Sequence, residues 1–153
     1  MFVNQDVVVV DASVAFKWLV EEEHSDKATA LARLWDDQSI RLAAPHLMPF
    51  EVANILHRRV ARGELTVTIA AGLLRDLMSL GIELHASPEL HTRAMELASQ
   101  LGQGATYDAH YLALAEALNC ELWTADMGLT RAAGPLDVDV RWIGGFVMPG
   151  QEG

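Results

Sequence analysis

Cysteine is nearly missing from this chain: Cys120 is the only one among 153 residues. A lone thiol excludes an internal disulfide, a C-x-x-C redox pair and a thiolate zinc cluster. It stands in NCELW, at the entry to an apolar stretch, where a buried, inert thiol is expected. Basic residues are also few, with 11 Lys and Arg against 21 Asp and Glu, a formal charge of −10. That balance excludes a protein that holds nucleic acid chiefly by a broad basic surface. It suits carboxylates gathered around a cation, a surface matched to a basic partner, or a solvated acidic shell, which accounts for runs such as Glu21-Glu22-Glu23. No apolar run approaches the roughly 18 residues of a membrane span. The opening MFVNQDVVVVD has neither a basic segment nor a small-residue cleavage site, so it does not read as a signal peptide, and a cytoplasmic setting is expected. Repeats, low-complexity tracts and long linkers are absent as well.

What is present is a steady alternation of short apolar runs and helical patterns. Val7 to Val10 form a β-branched run that suits a strand covered on both faces. Helices are expected over Ala12–Val20 and His24–Asp36, then a strand over Ile40–Ala43. Pro49 opens the helix PFEVANILHRRVAR, which Gly63 closes; another runs from Thr66 to Leu80 and stops at Gly81. Ile82–Leu84 reads as a strand, and Ser87 as the N-cap of a helix reaching Leu101. After the break at Gly102-Gln103-Gly104 come a helix at Thr106–Leu118, a strand at Glu121–Thr124, a helical turn at Met127–Ala133 and a strand at Val140–Ile143. The expected fold class is α/β: three layers, with a central, mainly parallel sheet between helices. One domain over residues 1–148 with a loose tail at 149–153 follows from the same reading.

In a parallel sheet, residues just past a strand, and the first turn of a helix leading to the next strand, meet at the carboxyl edge, where ligands bind. Four acids meet this test. Asp11 ends the first strand, Glu51 lies in the first turn of the helix after the second, Asp108 opens the helix before the strand at Leu122, and Asp126 follows that strand. Each has a bland reading too. Asp11 and Asp126 could cap helices, and Glu51 and Asp108 stand where the helix dipole favours a carboxylate. Capping would spread acids over all helix starts, whereas these converge on one edge. Carboxylates within about 4–6 Å repel unless a cation neutralises them. Only oxygen donors are offered, which selects Mg²⁺ or Mn²⁺ over zinc or copper. A metal-activated water attacking a phosphodiester is the matching chemistry.

At this point the sequence resembles the PIN domain. VVVVDASVAFKWL, MPFEVANIL, TYDAHYLALAEAL and LWTADMGL are similar to that family's successive motifs, in order and across nearly the whole chain. The resemblance implies a PIN-like parallel sheet with a metal site of Asp11, Glu51, Asp108 and Asp126. It implies Mg²⁺- or Mn²⁺-dependent cleavage of RNA, whether tRNA, rRNA or mRNA. Size and motif spacing look most like VapC toxins of toxin–antitoxin pairs. Such toxins are typically homodimers held inactive by a VapB antitoxin whose C-terminal segment lies in the active-site groove.

On this reading Asp11 and Asp108 are the foremost metal ligands, while Glu51 and Asp126 complete the site or orient the water. Ser13 and Thr124 are expected to hydrogen-bond a ligand carboxylate or a substrate phosphate. Lys17, Arg58, Arg59 and Arg62 are candidates for the RNA backbone, although arginines late in a helix also suit its dipole. Asn54, one turn after Glu51, is placed to face the groove. None of His24, His46, His57, His85, His91 and His110 is given a catalytic role, and the four tryptophans are assigned to core or dimer contacts. Two other readings stay open. A magnesium-dependent phosphatase of the haloacid-dehalogenase kind would want a second Asp where Ser13 stands. A non-catalytic dimeric binding module would use its acids only as caps.

Overall fold

A computed structural model describes residues 3–151, so part of the expected tail, residues 152–153, lies outside the described residues. Among the described residues, five short strands form one sheet: β1 (Val7–Val10), β2 (Arg41–Pro45), β3 (Glu83–His85), β4 (Leu122–Thr124) and β5 (Val140–Trp142). Every pairing is parallel, and the order is β3-β2-β1-β4-β5. Seven α-helices among the described residues connect and flank them: α1 (Ala12–Leu19), α2 (Ser25–Asp37), α3 (Met48–Ala61), α4 (Val67–Met78), α5 (Pro88–Gln100), α6 (Tyr107–Leu118) and α7 (Met127–Ala132). The arrangement is the expected three-layer α/β/α fold, and the sheet is wholly parallel.

The valines of β1 are buried to the last residue because this strand lies between β2 and β4 with helices over both faces. α6 is apolar nearly all round. It packs on β1, β2 and β4 while α5 covers its far side. Cys120 is buried beside the entry to β4, and burial pushes its thiol up to about 11, as an inert thiol requires. Trp35 and Trp123 meet edge to face inside the core.

Helix ends follow local chemistry. Gly63 and Gly81, both at φ 75°, end α3 and α4 in the left-handed region that glycine enters freely. Thr66 caps α4 by accepting from the Ile69 N–H at 3.2 Å. Ser87 occupies the N-cap position of α5, but its side chain makes no capping bond; Pro88 at the first helical position has no N–H to satisfy.

Chain order decides where a site can form. From β1 the chain steps outward to β2 and β3, then returns to the other side of β1 for β4 and β5. The direction of winding therefore reverses between β1 and β4, which opens a crevice at their carboxyl ends.

Candidate functional site

Asp11 stands where β1 ends. Its extended backbone turns the carboxylate over the first turn of α1, where it accepts from the Val14 N–H at 3.1 Å. The Ser13 hydroxyl donates to it at 2.5 Å, and the Thr124 hydroxyl donates as well. Both hydroxyls have second duties. Ser13 Oγ accepts from the Ala125 N–H at 3.0 Å, and Thr124 Oγ1 accepts from the Asp126 N–H at 3.0 Å. Two short side chains thus fasten the loop after β1 to the loop after β4, across the crevice. Asp11 is only 7% exposed. Burial raises its pKa from 3.8 to about 6 despite the bonds from Ser13, Thr124 and Val14, and the charge of Asp108 adds to the rise.

Glu51 comes from the first turn of α3 and is half-buried. The Tyr111 hydroxyl donates to its Oε1 at 2.6 Å. Burial holds the Glu51 carboxyl above its ordinary value; the Tyr111 bond opposes this, and the charges of Asp11 and Asp108 reinforce it. Tyr111 itself is buried, and desolvation together with Glu51 drives its phenol far above the usual range, so it donates and never ionises. Asp108 lies in the first turn of α6, toward solvent. Desolvation, then the charge of Asp126, raise its pKa. Asp126 caps α7 by accepting from the Gly128 N–H at 2.8 Å.

The helix-capping duties of Asp11 and Asp126 are therefore real, and they do not exhaust the four acids. Asp11 senses Asp108, Glu51 senses both, and Asp108 senses Asp126. Among the described residues, none of the four makes an ion pair with Lys, Arg or His. Nor do any three His, Cys, Asp or Glu side chains among those residues form a ready-made ion cage. The acids are electrostatic neighbours and not a closed coordination shell.

The cations lie next door. A groove of about 260 Å³ is lined by Ser13, Lys17, Glu22, Arg58, Arg59 and Arg62, among others. The Lys17 amine bonds Glu22 Oε1 at 3.0 Å and the Glu23 carbonyl at 2.6 Å, and its side chain is 9% exposed. Arg59 reaches Glu22 at 3.5 Å and Glu64 at 3.6 Å, and lies 5.2 Å over the Phe16 ring. Glu22 is thus an organising residue of this groove and not part of a solvated run, a role its place in Glu21-Glu22-Glu23 conceals. Arg58 and Arg62 are exposed, as is Asn54. A larger depression, about 790 Å³, is elsewhere, at the amino edge around Asn4, Asp6, Trp35 and Arg141, and holds none of the four acids.

Tyr111 is the site neighbour that sequence reasoning passed over. It belongs to the segment TYDAHYLALAEAL and falls three residues after Asp108, so both lie on one side of α6. That spacing was the available signal.

Residues 8–135 match the PIN domain. This chain belongs to the PIN-domain family. Ribonuclease VapC9 of Mycobacterium tuberculosis is 34% identical over 124 residues, spanning 81% of this chain and 89% of that protein. Ribonuclease VapC3 of Pyrobaculum aerophilum is 36% identical over 126 residues, spanning 80% of this chain and 91% of its own. The crystal structure of VapBC2 from Rickettsia felis, bound to a DNA fragment from the promoter, contains a chain that superposes with a TM-score of 0.65 at 14% identity, covering 88% of this PIN domain and 97% of that chain. At that identity it shows the fold alone. No helix among the described residues is long and apolar enough to cross a membrane.

Proposed function

We propose that this PIN domain is a metal-dependent endoribonuclease of the VapC toxin type, working in the cytoplasm and restrained by a VapB-type antitoxin. The single observation that carries the reading is the set of four mutually repelling carboxylates at the switch-point crevice, with no cationic side chain paired to any of them among the described residues. The ribonuclease names of the curated relatives support the same chemistry.

The donor set suits Mg²⁺ or Mn²⁺: all oxygen and strongly negative, with burial, then neighbouring carboxylates, raising the pKa of Asp11, Glu51 and Asp108. Asp11 and Asp108 would be the principal ligands, with Glu51 and Asp126 beside them. A bound ion of this kind polarises a phosphate oxygen and makes water more acidic. The rest is done by the chain. Ser13 and Thr124 hold the Asp11 carboxylate in one orientation while tying down the loop that carries Asp126. Tyr111 occupies Glu51 Oε1, which leaves Oε2 to accept a proton from attacking water; a raised pKa suits Glu51 to that task. Arg58 and Arg62 stand exposed at the neighbouring groove to meet the RNA backbone, with Arg59 and Lys17 held behind them by Glu22. Asn54, exposed one turn beyond Glu51, is assigned to the same RNA-facing side.

An antitoxin fits the exposed apolar side chains of and beside α4, where Val67, Ile69, Met78 and Leu80 lack cover in the single chain. The Rickettsia felis chain of the same fold belongs to a VapBC2 structure, which supports that kind of partner. A homodimer is the assembly we assign. A phosphatase of the haloacid-dehalogenase kind is disfavoured, because the position that needs a second acid holds Ser13, whose hydroxyl is engaged on both sides.

The test is digestion of RNA by the purified protein with Mg²⁺, with Mn²⁺, and with excess EDTA, beside Asp11→Asn. Cleavage is expected only with a divalent ion and only from the unsubstituted protein. Cleavage that survives EDTA would overturn the metal reading.

A further inference from the structure

Four of the six histidines meet in space although none neighbours another in sequence. A groove of about 350 Å³ is lined by His46, His85, His91 and His110, together with Phe50 and Tyr107, a size within the usual range for a small organic ligand. His46 follows β2 and His85 ends β3, so the groove lies at the same carboxyl edge as the four acids, shifted toward β2 and β3. Two helix starts carry a residue of each. Phe50 immediately precedes Glu51 on α3, and Tyr107 immediately precedes Asp108 on α6.

Its chemistry is unlike that of the rest of the edge. In a protein of net charge −10, no Asp or Glu among the described residues lines this groove. Phe50 is 67% exposed and Tyr107 is 63% exposed, which is unusual for large rings unless they meet a partner. The imidazoles add further flat faces, with the His46 ring 5.7 Å from that of Phe50. The histidine pair also has a defined polarity. The Thr106 carbonyl can only accept, so His110 Nδ1, 2.6 Å away, carries a proton. In the neutral ring His110 Nε2 then accepts from His91 Nδ1 at 2.9 Å, which leaves His91 Nε2 as a hydrogen-bond acceptor.

We infer that this groove receives an unpaired base of the RNA, stacked on Phe50 and Tyr107, while the adjoining phosphate lies at the acids. The inference rests on the nuclease reading and deepens it by naming residues that select substrate. Flat apolar rings without carboxylates suit a base, and the acids one residue along suit the metal-bridged phosphate.

The experiment separates binding from cleavage. In an Asp11→Asn background, hexaribonucleotides of randomised sequence with a central 2-aminopurine are titrated with protein, and fluorescence reports stacking. Quenching is expected, and Phe50→Ala with Tyr107→Ala should weaken it about tenfold or more, with Phe50→Trp restoring it. Both rings are largely exposed, so their truncation opens no core cavity. Unchanged quenching in the double variant would overturn the inference, as would a fall in solution mass showing that the groove seats a second copy of the chain. Absence of RNA cleavage by the unsubstituted protein, with quenching intact, would sink the nuclease reading and leave the base site standing.

Discussion

Away from the sheet's carboxyl edge, several acids of this protein stand beside arginines; at that edge four acids stand beside one another. Arg93 holds Glu116 at 2.6 Å and Glu96 at 2.9 Å, Arg41 holds Glu83 at 2.8 Å, and Arg141 holds Asp139 at 3.0 Å. Among the described residues, Asp11, Glu51, Asp108 and Asp126 have only hydroxyls, backbone N–H groups and each other. The same residue type is thus neutralised by the fold in one region and left charged, partly desolvated and crowded in the other. Structural economy explains the paired acids, and a bound cation, as proposed, would explain why the unpaired ones are gathered together.

Removing acids one region at a time sharpens this contrast. Asp108→Asn should lower RNA cleavage on the order of 10³-fold, since several kcal/mol of charge stabilisation go with one ligand, while circular dichroism stays unchanged. Asp11→Asn should also abolish cleavage, yet stabilise the metal-free protein. The folded carboxyl binds its proton more tightly than the unfolded one, with a pKa of about 6 against 3.8. Its ionisation therefore costs nothing below about pH 4, costs progressively more as pH rises to 6, and stays costly above. The ceiling is about 3 kcal/mol at pH 7, read by urea denaturation in EDTA at pH 4 and pH 7. If the variant were no more stable at pH 7, the picture of an uncompensated Asp11 would be wrong.

Tyr111→Phe deletes the donor to Glu51 without changing the ring, and should reduce kcat by roughly ten- to a hundredfold. A pH–rate profile whose acidic limb moves to higher pH, as loss of the Tyr111 bond lets the Glu51 pKa rise further, would distinguish positioning of Glu51 from a packing defect. The smallest effect belongs to the paired region. Arg93→Ala disrupts two surface ion pairs, is expected to cost under about 1 kcal/mol, and should leave cleavage rates as they were. A large loss of activity there would break the contrast altogether.

Much of the fold was legible in periodicity. The β-branched run of β1 and the Pro and Gly marks around α3 identify their elements from local chemistry alone, and alternation of type implies a parallel sheet. Helix boundaries shifted by a residue or so, as at Met48 and Ser25, where no side chain caps the helix start. Of the candidate site, the acids were visible because each sits at a strand end or a helix start. Tyr111 was hidden among apolar neighbours, since a buried tyrosine in an apolar helix reads as core until its hydroxyl is seen to reach Glu51. Glu22 was hidden for the opposite reason: among three glutamates nothing local separates the one that turns inward.

By itself the sequence determined the kinds of element, named the candidate donors and excluded an internal disulfide or a thiolate cluster, because these depend on residue type and near-neighbour spacing. Tertiary structure alone decided that winding reverses between β1 and β4, that Ser13 and Thr124 cross that crevice, and that His46, His85, His91 and His110 share one groove. Those facts are contacts between residues distant along the chain. They follow from how helices and strands pack, which no local pattern encodes.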